Sequence, residues 1–349
     1  MNTVIDAVVR VDELGTASAL ALARERGDRV DAVRFPDGTT LELARVADVL
    51  YVPSALERGQ SLQIVGGRNL AMEAVFDDFT AGFVRQRLAR AGVERFEGFV
   101  DAGDVGDVCI LGNVFSRNFT HWHEELMKVV AVERTGRDCR YVVSALPDFA
   151  RALLAIVGIP AERILEVDRP TRFAAALHST PVSYRNVADY PAVLDELRER
   201  VLACPVPAGT PAPGPRLWLD RGAQTRLGRS LVNGEEVQRL LEAHDFVRVD
   251  MGSLPLPAQV DAARHMRVLA GLHGSQFVHS QLMPRGSLVI ECFSPLYLNP
   301  TYVEIYRVLR HRSALIAATN TPLMPYLHGG DVLVDIQQLA LALQSADAA

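Results

Sequence analysis

Strand-like and helix-like patterns alternate along two stretches of this 349-residue chain, and the alternation limits the folds it can adopt. From about residue 108, the segments read in turn as strand, helix, strand, helix and strand: VCILGNVF, NFTHWHEELMKVVAVERTG, CRYVVSALP, DFARALLAIVGIP and RILEVD. From about residue 216 the order resumes with RLWLDR, GEEVQRLLEAHDF, VRVDMGSL, PAQVDAARHM, RVLAGLHG, SQFVHSQLMP and SLVIECF. Such alternation is typical of βαβ units, so we predict an α/β fold with a parallel sheet in each stretch.

A proline-rich segment separates the two stretches. Residues 204–216 read CPVPAGTPAPGPR, with five prolines that cannot lie inside a helix or sheet because each lacks a backbone N–H. We therefore predict an N-terminal α/β domain over residues 1–205, a linker over 206–215 and a C-terminal domain over 216–349. The N-terminal domain begins with a mixed region to about residue 100, in which FPDGTTLELARV predicts a hairpin and FDDFTAGFVRQRLARAG predicts a helix.

Charge and cysteine usage exclude several classes of protein. The formal net charge of −6 does not suit a general nucleic-acid binder, which needs a basic surface. The four cysteines lie far apart without a CxxC pair, which argues against a structural zinc site and favours a reduced, cytoplasmic compartment. No run of eighteen apolar residues is present, so we expect a cytoplasmic protein that could still work at the inner face of the membrane.

The turn His273-Gly274-Ser275 lies between a predicted strand and a predicted short helix. Backbone amides at a helix N-terminus favour an anion, and glycine lets a phosphate approach closely. Glu291, at the carboxyl end of the next strand, could accept hydrogen bonds from the two hydroxyls of a ribose. The alternatives are an ordinary turn capped by Ser275 and a solvated glutamate at a strand end.

A second candidate site opens the helix NFTHWHEELMKVVAVER. His121 and Glu125 are four residues apart and therefore share a helix face, just after Asn118 at the N-cap position. A histidine and a carboxylate placed there could supply a general base, either Glu125 directly or His121 polarised by Glu125. We expect the neighbouring His123 and Glu124 to be solvated, and the order of the acids does not fit the HExxH pattern of zinc proteases.

Three arginines follow the predicted strand RLWLD. Arg221, Arg226 and Arg229 would lie beyond its carboxyl end, where a guanidinium can pair bidentately with phosphate oxygens. A solvated arginine-rich loop is the alternative. The chain has neither GxGxxG nor a Walker A motif, which disfavours dinucleotide and P-loop nucleotide sites.

In this order, the motifs resemble those of glycosyltransferase family 61, over roughly residue 105 to the end. The first is Asn118-Phe119-Thr120-His121-Trp122 followed by Glu125, and the second joins Arg221 and Arg229 to Asn233-Gly234-Glu235-Glu236. The third is His273-Gly274-Ser275, then Pro284-Arg285-Gly286 and Glu291. The chain departs from the usual HGAGLTN loop at Ser275, Gln276 and His279.

The resemblance implies a GT-B fold, in which two Rossmann-like domains face each other across a cleft. It implies an inverting, metal-independent glycosyltransferase that uses a nucleoside-diphosphate sugar as co-substrate, a UDP-sugar in our interpretation, and no other cofactor. The expected acceptor is a glycan or a lipid-linked acceptor in the biosynthesis of bacterial surface polysaccharide, either capsule or lipopolysaccharide.

The resemblance also assigns roles to the candidate residues. The donor would be held by Arg221, Arg226, Arg229, Asn233, His273, Gly274, Ser275 and Glu291. Glu125 and His121 would supply the base. Two other functions stay open: a UDP-sugar epimerase of the same fold, and a non-catalytic sugar-nucleotide or glycan-binding module.

Overall fold

The computed structural model describes most of the chain. The described residues are 3–58, 60–67, 69–71, 77–113, 115–116, 118–206, 213–220, 230–294, 299–320 and 331–347. They fall into two compact units, residues 1–200 and 201–349. Most of the predicted linker, residues 207–212, lies outside the described residues, so the domain boundaries stay a prediction.

Unit 1 contains twelve of the described strands and the first five described helices. The strands are β1 Val9–Arg10, β2 Gly15–Ala17, β3 Val30–Arg34, β4 Thr40–Val52, β5 Leu62–Val65, β6 Asn69–Ala71, β7 Arg95–Phe96, β8 Val100–Asp101, β9 Asp107–Ile110, β10 Cys139–Val143, β11 Ile164–Glu166 and β12 Thr171–Ser179. The helices are α1 Ala19–Arg26, α2 Asp77–Arg90, α3 Phe119–Glu133, α4 Asp148–Ile156 and α5 Pro191–Leu202, within which the division between the units falls.

Two sheets make up most of unit 1. The larger one is seven-stranded, in the order β2-β6-β5-β4-β12-β8 with β3 also on β4, and most of its pairs are antiparallel. The smaller sheet is parallel, in the order β11-β10-β9. Apolar side chains from both sheets share a core that includes Val46, Tyr51, Ile110 and Val142. The hairpin predicted at FPDGTTLELARV is confirmed as β3 and β4, and the helix predicted from residue 76 is confirmed as α2.

Unit 2 is built around a five-stranded parallel sheet. Its strands are β13 Arg216–Leu219, β14 Val247–Val249, β15 Val268–Leu272, β16 Leu288–Phe293 and β17 Arg312–Ala317, and a separate pair is β18 Thr319–Asn320 with β19 Val332–Leu333. The helices are α6 Gly234–Ala243, α7 Leu256–His265, α8 Val303–Val308 and α9 Ile336–Asp347, with 3-10 helices at Met251–Ser253 and Ser275–Leu282. The sheet, α6 and α9 enclose an apolar core that includes Trp218, Leu241, Ile290 and Leu343.

The strand order of this sheet reverses between β13 and β15. The order is β14-β13-β15-β16-β17, so the chain first builds on one side of β13 and then returns to build on the other. This is a doubly wound arrangement, in which a crevice opens outside the carboxyl ends of the two strands that flank the reversal. The crevice is the place where open α/β sheets bind their ligands.

Strands β13 and β15 approach closely at Gly271. This residue has φ 157°, and a Cβ added there would lie 3.0 Å from the Leu219 carbonyl oxygen and 3.1 Å from the Leu219 Cβ. A glycine is therefore needed where β15 passes β13 beside the crevice.

The α/β class predicted from the alternation is confirmed, whereas the GT-B arrangement of two domains stays a prediction. Two predicted strands end earlier than expected. VCILGNVF forms β9 only to Ile110, because a turn with Gly112 at φ 94° follows. VRVDMGSL forms β14 only to Val249, and a 3-10 helix begins at Met251. Among the described helices, none has both the length and the apolar character required to cross a membrane.

We predict that Gly271→Ala destabilises the protein by about 2–3 kcal/mol, because the new methyl group overpacks the contact with Leu219. Urea unfolding measures the free energy of unfolding. Gly286→Ala is the matched control, since Gly286 also has a positive φ, 78°, but open space around its would-be Cβ. A loss for Gly271→Ala no larger than that for Gly286→Ala would contradict this account.

Candidate functional site

The first candidate cluster lies at the amino end of α3, in unit 1. Asn118 accepts a hydrogen bond from the Thr120 backbone N–H at 2.9 Å, which confirms its predicted position as the N-cap. The Trp122 indole donates to the Ser116 carbonyl at 2.7 Å and holds the preceding loop against the helix. This anchoring places the polar side chains of the first two helical turns beside the end of β9.

Glu125 is a buried carboxylate with a hydrogen-bond donor at one oxygen and a cation beside the other. Its side chain is 4% exposed, and its Oε1 accepts from the Asn113 side-chain amide at 2.9 Å. Its Oε2 lies 3.0 Å from the Lys128 ammonium, which also donates to the Ile110 carbonyl at 3.0 Å. A buried carboxylate needs such partners, because transfer of an unpaired charge from water costs several kcal/mol.

His121 pairs with a different acid. Its Nδ1 lies 2.7 Å from the Glu124 carboxylate, whose other oxygen accepts from the Tyr184 backbone N–H at 3.1 Å. The imidazole also stacks on Phe115, with ring centroids 5.0 Å apart. The polarisation of His121 by Glu125 that we considered is therefore not the contact found in the structure, since Glu124, one residue earlier, takes that place.

The expectation that His123 and Glu124 are solvated is wrong. His123 is 1% exposed and packs edge-on against Phe119, with ring centroids 4.8 Å apart. The Glu124 side chain is 16% exposed and held by His121 and Tyr184. Helical spacing alone could not show which polar residues of 121–125 are buried, because the loops that pack on α3 decide which of them are covered.

A small polar cleft opens at this cluster. It is lined by Asn113, Glu124, Glu125, Lys128 and residues 179–183, which begin at the last residue of β12. We call it the α3 cleft. Carboxylates, an amide and serine and threonine hydroxyls are the groups that bind sugar hydroxyls, so the α3 cleft could accept a hydroxylated ligand and deprotonate it.

The second candidate cluster lies in unit 2, at the carboxyl ends of β15 and β16. His273 is 7% exposed, and its Nδ1 lies 2.5 Å from Glu291 Oε1. The other oxygen of Glu291 accepts from the Tyr306 hydroxyl at 2.8 Å. The imidazole also stacks on Phe293, with ring centroids 4.8 Å apart. The carboxylate and the aromatic ring therefore hold the imidazole in one orientation.

Our prediction that Glu291 ends its strand is wrong. β16 continues to Phe293, and Glu291 pairs in register with Gly271 and is 1% exposed. Both of its oxygens are bound within the protein. The ribose contact stays a prediction, and the contacts themselves assign Glu291 to orienting His273. Burial and the Glu291 carboxylate raise the pKa of the Tyr306 hydroxyl well above its usual value, so this group stays a donor.

The turn after His273 leads to the edge of β13. Gly274 is extended, with φ 173° and ψ 178°, and Ser275 begins the 3-10 helix. In the first turn of this helix, the Gln276 side chain donates to the Asp220 carbonyl at 3.1 Å. Asp220 directly follows β13, so the His273 turn lies at the crevice formed by the reversal of strand order.

Other predicted donor residues lie elsewhere or outside the described residues. Arg221, Arg226 and Arg229 fall in residues 221–229, which the structure does not describe. Asn233 precedes α6, where its amide donates to the Val334 carbonyl at 2.8 Å and accepts from the Val334 N–H at 3.1 Å. These bonds tie α6 to the C-terminal segment, and a donor contact of Asn233 stays a prediction.

His279, one of the departures from the usual family loop, is a core residue. Its Nδ1 bonds to the Gln276 carbonyl at 2.7 Å, and its Nε2 lies 2.9 Å from the Gln259 side chain. Burial lowers the pKa of His279 to about 4. The ring is therefore neutral near pH 7 and serves packing within unit 2.

Three site residues were missed from the sequence: Asn113, Lys128 and Tyr306. The Gly112-Asn113 turn was a usable signal, because this pair of residues commonly ends a strand. Lys128 lies three residues after Glu125, a spacing at which side chains meet on a helix. Tyr306 had no local signal, since α8 reaches Glu291 only through the tertiary fold. In the described part of the chain, no group of three or more His, Cys, Asp or Glu side chains could hold a metal ion.

A family model for glycosyltransferase 61 matches residues 119–290, a range that includes His121, Glu125, Lys128 and His273, whereas Asn113, Glu291 and Tyr306 lie outside it. No curated protein matches the chain.

We predict that Glu291→Gln reverses the tautomer of neutral His273. In the native protein, Glu291 accepts from Nδ1–H, so the neutral form of the ring is the tautomer without a proton on Nε2. In the variant, the Tyr306 hydroxyl donates to the oxygen of the new amide. The amide NH₂ then faces His273 Nδ1, which must accept a hydrogen bond from it. Imidazole ¹⁵N chemical shifts measure the tautomer. Glu291→Gln combined with Tyr306→Phe frees the amide to turn, so native Nδ1–H should return; equal spectra for the native protein and Glu291→Gln would contradict the assignment.

We predict that His279 makes the protein less stable in acid. Its folded pKa of about 4 lies below the unfolded value of 6.5, so the unfolded state binds the proton more tightly between these pH values. Stability present above pH 6.5 is therefore lost as the pH falls towards 4, by about 3 kcal/mol. Urea unfolding at several pH values measures this loss. His279→Asn should flatten the dependence in that window, and an unchanged slope would contradict the prediction.

Proposed function

Because residues 119–290 carry a glycosyltransferase 61 domain, we propose that this chain is an inverting glycosyltransferase that transfers a sugar from a UDP-sugar to a hydroxyl group of a glycan. The acceptor in this proposal is a glycan or lipid-linked glycan of bacterial surface polysaccharide. The enzyme would work in the cytoplasm or at the inner face of the membrane.

The observation that carries the proposal is the reversal of strand order in unit 2, with the His273 turn at its edge. Open α/β sheets bind nucleotides at such a reversal. The chain leaves β13 at Asp220 and enters the segment with Arg221, Arg226 and Arg229. Guanidinium groups are suitable partners for a diphosphate, whose negative charge grows as the sugar leaves. We therefore propose the donor site there.

The α3 cleft supplies the second part of the reaction. Glu125 is a buried carboxylate in a polar cleft, and it can take the proton of an acceptor hydroxyl. The hydroxyl oxygen then forms a bond to the anomeric carbon as the bond from that carbon to the diphosphate breaks. The nucleoside diphosphate leaves with the bonding electron pair, and the proton stays on Glu125. A single displacement of this kind inverts the anomeric configuration.

His121 has a supporting role in this proposal. It is held by Glu124 rather than by Glu125, so we assign the proton transfer to Glu125 and the support of Glu124, which lines the cleft, to His121. In the same scheme, Glu291 orients His273, because its oxygens bind the imidazole and the Tyr306 hydroxyl within unit 2.

A panel of UDP- and GDP-sugars tests the function. We expect binding of one donor by calorimetry and slow release of its nucleoside diphosphate, with water as the acceptor. Absence of both binding and hydrolysis across the panel would contradict the proposal. A change of the sugar to its epimer without transfer would favour the UDP-sugar epimerase, and binding without any turnover would favour the non-catalytic module.

We predict that Glu125→Gln lowers the rate of sugar release about 10²-fold or more and leaves the affinity for UDP unchanged, because it removes the proton acceptor only. His121→Ala should lower the rate less. The rates come from nucleoside-diphosphate release at saturating donor. Glu166→Gln is the matched control, since this exposed carboxylate pairs only with Arg151 among the described contacts. Full activity of Glu125→Gln would remove Glu125 from the mechanism.

A further inference from the structure

Lys128 stands out in the composition of this chain. The sequence contains 36 lysine and arginine residues, and Lys128 is the only lysine. Lysine and arginine exchange readily at exposed positions, where water solvates either cation. Because all the remaining positions of this set hold arginine, a specific role for the ammonium group is indicated at position 128.

This lysine is not at an exposed position. Its side chain is 10% exposed and lines the α3 cleft beside Glu125. The ammonium lies 3.0 Å from Glu125 Oε2 and donates to the Ile110 carbonyl at 3.0 Å. One compact group thus bridges the carboxylate on α3 and the end of β9.

The geometry favours an ammonium over a guanidinium. An ammonium is a point charge with three donors that can aim separately at a carboxylate oxygen and a carbonyl. A guanidinium is planar, longer and presents its donors in a rigid fork, which suits a bidentate partner. Glu125 Oε1 is already bound by Asn113, so a forked contact with both oxygens would displace that amide. The larger head group would also fill space in the α3 cleft.

We propose that Lys128 is a positioning residue that keeps Glu125 ionised and correctly oriented in the α3 cleft, and that arginine cannot replace it. The inference rests on the proposed function, since it assumes that Glu125 takes the acceptor proton. A carboxylate that is 4% exposed tends to take up a proton when its cation is removed. A protonated Glu125 cannot act as a base. Lys128 itself keeps its protons throughout the reaction.

The single lysine allows a direct test of the contact in solution. Protein labelled with [ε-¹³C]lysine should give one side-chain signal, from Lys128. We expect Glu125→Gln to shift this signal by much more than the control Glu166→Gln does. A signal that Glu125→Gln leaves unchanged would overturn the inference, whatever the activity of the protein.

Kinetics test the role. With the UDP-sugar that the native protein hydrolyses, we expect Lys128→Met to lower kcat about 10²-fold with the donor KM unchanged. We expect Lys128→Arg to lower kcat at least tenfold. Arg151→Lys is the reverse exchange at an exposed pair and should keep native activity. Thermal unfolding of each variant identifies any that fails to fold.

The pH profile separates positioning from general structural support. Among the described residues, Lys128, Asn113 and Glu124 line the cleft with Glu125, and Tyr51 is close enough to interact with it electrostatically. In Lys128→Met the acid limb of the kcat profile should move to higher pH, because Glu125 loses its cation. In Lys128→Arg the charge remains, so kcat should fall while the limb stays in place. A folded Lys128→Arg with native kcat, or a Lys128→Met with an unmoved acid limb, would overturn the inference.

Failure of the proposed function has a different signature. A native protein that neither binds nor hydrolyses any UDP- or GDP-sugar contradicts the glycosyltransferase proposal and, with it, the catalytic role of Lys128. A native protein that is active, together with a folded Lys128→Arg of equal activity, contradicts only the inference about Lys128.

Discussion

Burial of carboxylates is the constraint on which both candidate sites depend. Glu125 in unit 1 and Glu291 in unit 2 are each almost inaccessible to water. An ionised carboxylate is stable in such surroundings only when donors surround it. The fold meets this requirement by bringing Asn113 and Lys128 to the first and His273 and Tyr306 to the second. The positions of the polar groups in each site follow from this requirement.

The two carboxylates nevertheless serve different purposes in our proposal. Glu125 borders a cleft lined by other polar groups, so it can meet a ligand and exchange a proton. Glu291 is enclosed between His273 and Tyr306 and acts through the imidazole. A buried acid can thus be a reacting group or a support for one, and its access to a cleft separates the two roles.

The parallel sheet of unit 2 supplies the setting for His273. A doubly wound sheet brings the carboxyl ends of its strands to one edge, and the reversal of strand order opens that edge between β13 and β15. Gly271 lets these two strands approach closely just before the turn. The Gln276 contact with Asp220 then holds the start of the 3-10 helix at the same edge. The close packing of β13 against β15 and the position of the His273 turn therefore depend on each other.

Sequence patterns predicted this setting well where the signals were local. Alternating strands and helices predicted the parallel sheet of unit 2, and the N-cap Asn118 located the start of α3. Local signals were misleading where a turn interrupted an apolar run, as after Ile110, because hydrophobicity alone does not show where a strand stops pairing. They also misjudged His123, which is buried and packs against Phe119.

The sequence by itself determined the class of fold, the helix and strand that carry each candidate site, and the likeness to glycosyltransferase family 61. These depend on periodicity, on turn residues and on short motifs, all of which lie within a few residues along the chain. Only the tertiary structure decided that His121 meets Glu124, that Lys128 and Asn113 hold Glu125, and that Tyr306 reaches Glu291. Such pairings depend on which loops and helices pack over each acid, and burial then makes a partner necessary for every charge that it covers.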